Sequence, residues 1–189
     1  MKPVIEDKKK SLEILNRGGV ILYPTDTVWG MGCNATCAVA VERIYAIKRR
    51  CETRAMLALV DDLDMLANYV EHIPDIAVRL IEEATRPLTV IYPKAKDLAS
   101  NLVSDDGSIG IRIVNEPFCR QLIKALGKPL VSTSANISGD PTPATFDEIS
   151  EKIKAAVDYI VRWRQDDQQP ATPSSIIKLN EDSSYFVIR

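Results

Sequence analysis

Histidine is almost missing from this chain. His72 stands alone among 189 residues, so no Ser–His–Asp or Cys–His relay can be assembled, and His72 itself reads as a helix-flank residue. The four cysteines, Cys33, Cys37, Cys51 and Cys119, give one C-x3-C spacing and no second close pair. That pattern excludes a zinc finger and predicts small free thiols with no resident metal. No apolar run approaches the roughly 18–20 residues that span a bilayer, and "MKPVIEDKKKSLEIL" lacks the apolar core of a secretory signal. The expectation is a cytoplasmic protein with reduced thiols and no membrane partner. A basic excess is lacking too: 24 Lys and Arg face 26 Asp and Glu, a net charge of −2, so no global field favours nucleic acid. There is no G-x-x-x-x-G-K-[ST], and "GMG" at 30–32 is too short for a dinucleotide fingerprint.

What is present suits one α/β domain over residues 1–189, with 46% hydrophobic residues for a core and 26% charged for the surface. Residues 4–16 read as a helix with Ile5, Leu12 and Leu15 on one side. "GGVILYPT" reads as a buried strand. Residues 38–50 form an amphipathic helix through Val41, Ile44, Tyr45 and Lys48. Strands follow at 55–60, 88–93 and 108–114, with helices at 62–70 and from Pro74 to about Thr85. Pro117 and Gly127 bracket another helix. "PLVST" is a strand, Thr145 with Glu148 reads as a capping box for a helix to about Ala156, and "DYIV", "SSIIKL" and "YFVIR" close the chain as strands. Continuous apolar strands mixed with helices predict an open, twisted mixed sheet flanked by helices.

Strand parity separates the core from a polar face. In "SIGIRIV", Ile109, Ile111 and Ile113 share one side, and Ser108, Gly110 and Arg112 the other. Gly110 there reads as a gap for a closely approaching ligand. Ser132, Ser134 and Asn136 line up the same way in "VSTSANISG", as do Thr25 and Thr27 in "YPTDTVWG". Three strands ending in small hydroxyls predict a shared polar cleft. Lys48, Arg49, Arg50 and Arg54 cluster after the second helix, and Arg189 ends the chain. Arg49 suits the helix C-terminal dipole. The remaining cations, with hydroxyls and no buried acid nearby, describe a cationic cavity for a polyanion, either a triphosphate or an RNA backbone.

"YPTDTVWGMGCNA", "AVERIYAIKRRCETRAMLALV", "IGIRIV", "KPLVSTSANISGDPTP" and "PSSIIKL…VIR", in this order, resemble the YrdC-like threonylcarbamoyl-AMP synthase family. The resemblance implies a nucleotidyltransferase that condenses L-threonine, bicarbonate and ATP to threonylcarbamoyl-AMP and releases pyrophosphate. Magnesium (Mg2+) would accompany ATP, and the product would pass to a tRNA threonylcarbamoyl transferase complex. It places threonine at Thr27, Arg112, Ser132 and Ser174. It places ATP at Lys48, Arg50, Arg54, Ser108, Ser134, Asn136, Thr142 and Arg189, with Lys48 and Arg50 as catalytic cations. This chain departs from the pattern at Arg54, where Lys is usual, at Ala55, where Pro is usual, at Leu59, where many relatives carry histidine, in "ATRPLT", and at Ser175, where Thr is usual. The competing readings are an RNA-binding module for tRNA or double-stranded RNA, a carbamoyl-handling maturation domain, a dihydroxybutanone-phosphate-type synthase, and an inactive threonine-binding relative. Weak RNA binding is also compatible with the synthase reading.

Overall fold

The computed structural model describes residues 2–49, 56–169 and 171–189. The elements run α1 (Lys2–Asn16), β1 (Ile21–Tyr23), β2 (Gly30–Gly32), α2 (Ala38–Lys48), β3 (Leu57–Val60), α3 (Leu63–Ala67) and α4 (Asp75–Glu83). They continue with β4 (Leu88–Tyr92), β5 (Ile109–Ile113), α5 (Pro117–Leu126), β6 (Leu130–Ser134), α6 (Glu151–Ala156), β7 (Tyr159–Ile160), β8 (Ser175–Leu179) and β9 (Tyr185–Val187). The strands form one open sheet in the order β7-β1-β2-β6-β3-β5-β4-β8-β9. It is mixed: β3 runs parallel to β5 and antiparallel to β6, and the tail strands β8 and β9 are antiparallel.

Alternation along β3 shows how the helices cover both faces. Ala58 and Val60 pack with Val41, Ile44 and Tyr45 of α2, and Leu59 packs with Leu15 of α1 and Phe118, Leu122 and Ile123 of α5. The helix α5 lies where Pro117 and Gly127 bracket it, and its apolar side reaches the core. Gly127 ends that helix at φ 64, a left-handed conformation that glycine adopts without strain.

Two local expectations are corrected. Ile5 is 65% exposed, because α1 turns Leu15 inward together with Asp7 and Ser11, both fully buried. Asp7 is satisfied there by the Tyr159 hydroxyl at 2.6 Å and by the backbone N–H groups of Arg162 and Trp163. A buried carboxylate with such partners outweighs the apolar pattern. Thr145 and Glu148 form no capping box. Ser150 caps α6, while Glu148 accepts from Ala144 N at 2.8 Å. "GMG", which the sequence pattern assigns to no element, forms β2, wedged between β1 and β6.

The strand β2 depends on lacking side chains. A Cβ on Gly32 would lie 2.2 Å from Val131 O and 2.7 Å from the Tyr23 ring, while the Tyr23 hydroxyl donates to that same Val131 carbonyl at 2.9 Å. Neither backbone nor a fully buried ring can retreat. Gly32→Ala is therefore expected to lower the unfolding free energy by about 3 kcal/mol, read as a shift in urea midpoint; an unchanged midpoint would contradict this packing.

Candidate functional site

A cavity of about 260 Å³ opens where strand ends from distant parts of the chain meet. Its wall comprises Thr27 and Val28 from the β1–β2 turn, Met56 and Leu57 at the start of β3, and Arg112 of β5. Ser132, Thr133 and Ser134 of β6, Thr142, Pro173, Ser174 and Arg189 complete it. Thr27, Arg112, Ser132, Ser134, Thr142, Ser174 and Arg189 are thus brought together as the sequence predicts.

The turn that carries Thr27 is fixed by its own hydroxyls. Thr25 Oγ1 donates to Val28 O at 2.8 Å and accepts from Thr27 N at 3.0 Å. That leaves the Thr27 hydroxyl to donate to Thr25 Oγ1, 3.0 Å away, and to accept from Arg112 Nη2 at 3.2 Å. On the far side, Ser174 Oγ lies 2.9 Å from Thr89 Oγ1, and Ser174 O accepts from Arg189 Nε at 3.2 Å. Thr89 is buried and was not expected at the site. Its retention in "PLT" and its place on β4 were the available signals.

Arg112 is the central charge. It is 3% exposed, and its Nε has no hydrogen-bond partner. Contrary to the expectation of no nearby acid, Asp26 faces it, with Oδ1 3.1 Å from Nη2. The approach is close enough for an ion pair but off the axis of a good hydrogen bond, so Asp26 Oδ1 is charge-paired yet without an aligned donor. Asp26 Oδ2 accepts from Asn115 N at 3.0 Å. Among the described residues, the cavity wall therefore holds two guanidinium groups, Arg112 and Arg189, one of them already paired with an acid.

The remaining predicted residues lie elsewhere. Lys48 is 2% exposed and does not line the cavity; its ammonium donates to Ser134 O at 2.6 Å and Asn136 O at 2.7 Å. It sits behind the loop and holds its backbone. Asn136 is spent on the same loop, donating to Ile137 O and Asp140 O at 3.0 and 2.8 Å. Ser108 is not brought to the cavity: its hydroxyl donates to Asp106 Oδ1 at 2.5 Å. That bond, followed by one from Lys178, holds the Asp106 carboxyl down at about 2. Gly110 and Leu59 also stay out of the wall. A Cβ on Gly110 would make ordinary contacts with Thr89, Leu57 and Ile91, and Leu59 is core. Arg50, Arg54, Cys51 and Ala55 lie outside the described residues.

Cys33, Cys37 and Cys119 are free thiols. Burial pushes Cys33 and Cys119 well above the ordinary thiol range, which makes them inert. Among the described residues, no group of three His, Cys, Asp or Glu side chains is arranged to hold a metal, and no helix is long and apolar enough to cross a membrane. A larger open cleft of about 700 Å³ adjoins Asp26. Its wall sets Asp26, Asp61, Asp62 and Asp64 against Arg86 and Arg120 and lacks the row of hydroxyls, so the smaller cavity is the better seat for an anionic group.

The comparisons agree with this architecture. The Sua5/YciO/YrdC family model, described as "Telomere recombination", matches residues 13–189. A threonylcarbamoyl-AMP synthase of Pseudoalteromonas translucida is 34% identical over 154 residues, covering 80% of this chain and 82% of its own. The crystal structure of E. coli YciO superposes with a TM-score of 0.82 at 29% identity, covering 96% of this chain and 87% of that one. P. abyssi Sua5 complexed with L-threonine shares the fold, with a TM-score of 0.86 at 24% identity, covering 98% of this chain and 54% of its own. An open mixed sheet carrying these motifs in order, matched from near its start to its last residue, places the chain in the Sua5/YciO/YrdC family.

Proposed function

We propose that this protein makes threonylcarbamoyl-AMP from L-threonine, bicarbonate and ATP. The observation that carries the reading is Arg112: a buried guanidinium with donor capacity left over, set in one cavity with hydroxyls from four separate segments. The name of the P. translucida relative and the threonine held by P. abyssi Sua5 support it.

In this reading the threonine carboxylate meets Arg112, whose planar fork suits a carboxylate, and the hydroxyls of Thr27, Ser132 and Ser174 complete that half. Ser134, Thr142 and Arg189 serve the nucleotide half. Arg50 and Arg54 would add charge around the phosphates. Lys48 acts through the loop it fixes, since its ammonium already serves two carbonyls. Magnesium belongs to the MgATP substrate.

The step needs no histidine. The free-base amine of threonine adds to the carbon of carbon dioxide, in equilibrium with bicarbonate, and releases its proton to solvent. A carbamate oxygen then attacks the α-phosphorus, the bond to the β-phosphate oxygen breaks, and pyrophosphate leaves. What the protein supplies is placement and charge stabilisation. The adenylate would then be taken by a tRNA threonylcarbamoyl transferase.

The balance of 24 Lys and Arg against 26 Asp and Glu gives the RNA-binding reading no support. The test is chemical: with isotopically labelled bicarbonate, L-threonine and ATP, the label should appear in an adenylate containing threonine, detected by mass spectrometry. Label-free AMP as the only adenylate would refute the assignment.

A further inference from the structure

Among the described residues, Asp26 is the charged side chain that pairs with Arg112, and it is pinned rather than adaptable. One carboxylate oxygen accepts from Asn115 N at 3.0 Å, and the other lies 3.1 Å from Arg112 Nη2. It projects from the turn that the Thr25 and Thr27 hydroxyls lock together at 3.0 Å. The side chains of the pair are 10% and 3% exposed, so water screens their charges weakly.

Two consequences follow from that geometry. The inner wall at Arg112 carries no net charge before a ligand arrives, because the guanidinium is already matched. The carboxylate also stands at a boundary, just outside the cavity wall: Asp26 lines the cleft of about 700 Å³ and a further cleft of about 380 Å³, which shares Thr27 and Pro173 with that wall. A simple carboxylate entering the cavity therefore gains Arg112 but meets the fixed negative charge of Asp26. A ligand with a carboxylate at one end and an ammonium at the other gains from both. Placing a charge that repels the wrong ligand is a way to build selectivity that adds nothing to overall affinity.

We infer that Asp26 is a specificity-determining residue that makes the Arg112 site select zwitterionic amino acids over carboxylates lacking the amine. The inference rests on the threonine reading of the site. It concerns discrimination, and it casts Asp26 as a positioning and electrostatic residue acting beside Arg112.

The test compares two ligands by calorimetry: L-threonine, and the hydroxy acid in which a hydroxyl replaces its amine. The native protein should prefer threonine. Asp26→Asn keeps the shape and removes the charge, and should shrink the ratio of the two dissociation constants on the order of tenfold, mainly by tightening the hydroxy acid, which no longer meets a fixed negative charge. Asp26→Ser, small enough to keep an acceptor near Asn115 N, provides a second charge-free variant if the first does not fold. Asp26→Glu should retain most of the preference, an outcome that loss of packing alone would not produce. An unchanged ratio in a folded charge-free variant would overturn the inference. So would equal tightening of both ligands, which would make Asp26 a mere competitor for Arg112. Failure of the native protein to bind threonine at all would instead remove the site reading, and this inference with it.

Discussion

Arg112→Lys is expected to reduce kcat/KM for threonine about a hundredfold while the protein stays folded and KM for ATP changes little. Lysine preserves the buried positive charge opposite Asp26, so the ion pair survives. It loses the planar fork, which serves Asp26, Thr27 and an incoming carboxylate at once. Losing a charge-assisted bidentate contact corresponds to about 2–3 kcal/mol, which is the size of that effect. Arg112→Ala goes further, because it strands Asp26 as a buried charge, and it should also destabilise the fold by about 3 kcal/mol. The pair of variants separates the roles. A lysine variant with unchanged threonine kinetics would show that Arg112 serves only the ion pair.

The second large effect concerns Lys48. The resemblance to known synthases suggests a phosphate contact, and on that basis alone an alanine variant would lose activity and nothing else. The structure indicates otherwise. The ammonium is buried and donates to Ser134 O and Asn136 O at 2.6 and 2.7 Å. Ser134 is itself part of the cavity wall. Lys48→Met keeps the apolar stem and deletes the donors: Asn136 O loses its partner, and Ser134 O keeps only the Asn136 N–H at 2.9 Å, at a cost of about 1–3 kcal/mol. The expected result is a lower denaturation midpoint together with weakened ATP use, since the loop from Ser134 to Asp140 would no longer be held. A variant as stable as the parent, with only ATP binding impaired, would return Lys48 to a direct phosphate role.

Much of this was legible in the sequence, for identifiable reasons. Parity on β5 and β6 separated Ile109 and Ile111 from Arg112, and Val131 from Ser132, because a strand has only two faces. Spacing along α2 named its buried residues, Lys48 included, while Pro117 and Gly127 marked the ends of α5. What was hidden depended on contacts between segments remote in sequence. Asp26 looks like one more turn residue until β5 brings Arg112 beside it, 86 positions later in the chain. Ser108 shares the polar parity of Arg112, yet local bonding to Asp106 claims its hydroxyl. Asp7 breaks an apolar helix face because its partners, Tyr159, Arg162 and Trp163, arrive from the far end of the chain. The strand β2 was hidden because a glycine-flanked methionine has no strand signature, and only the close approach of Val131 and Tyr23 explains it.

The account stands on one arrangement: a paired but unsaturated guanidinium and neutral hydroxyls seat an amino acid against a triphosphate. Pyrophosphate release, followed with ATP and bicarbonate in the presence and absence of L-threonine, tests it most directly. Release should depend on threonine and should not be replaced by the hydroxy acid lacking the amine. Release at the same rate without any amino acid would contradict the account.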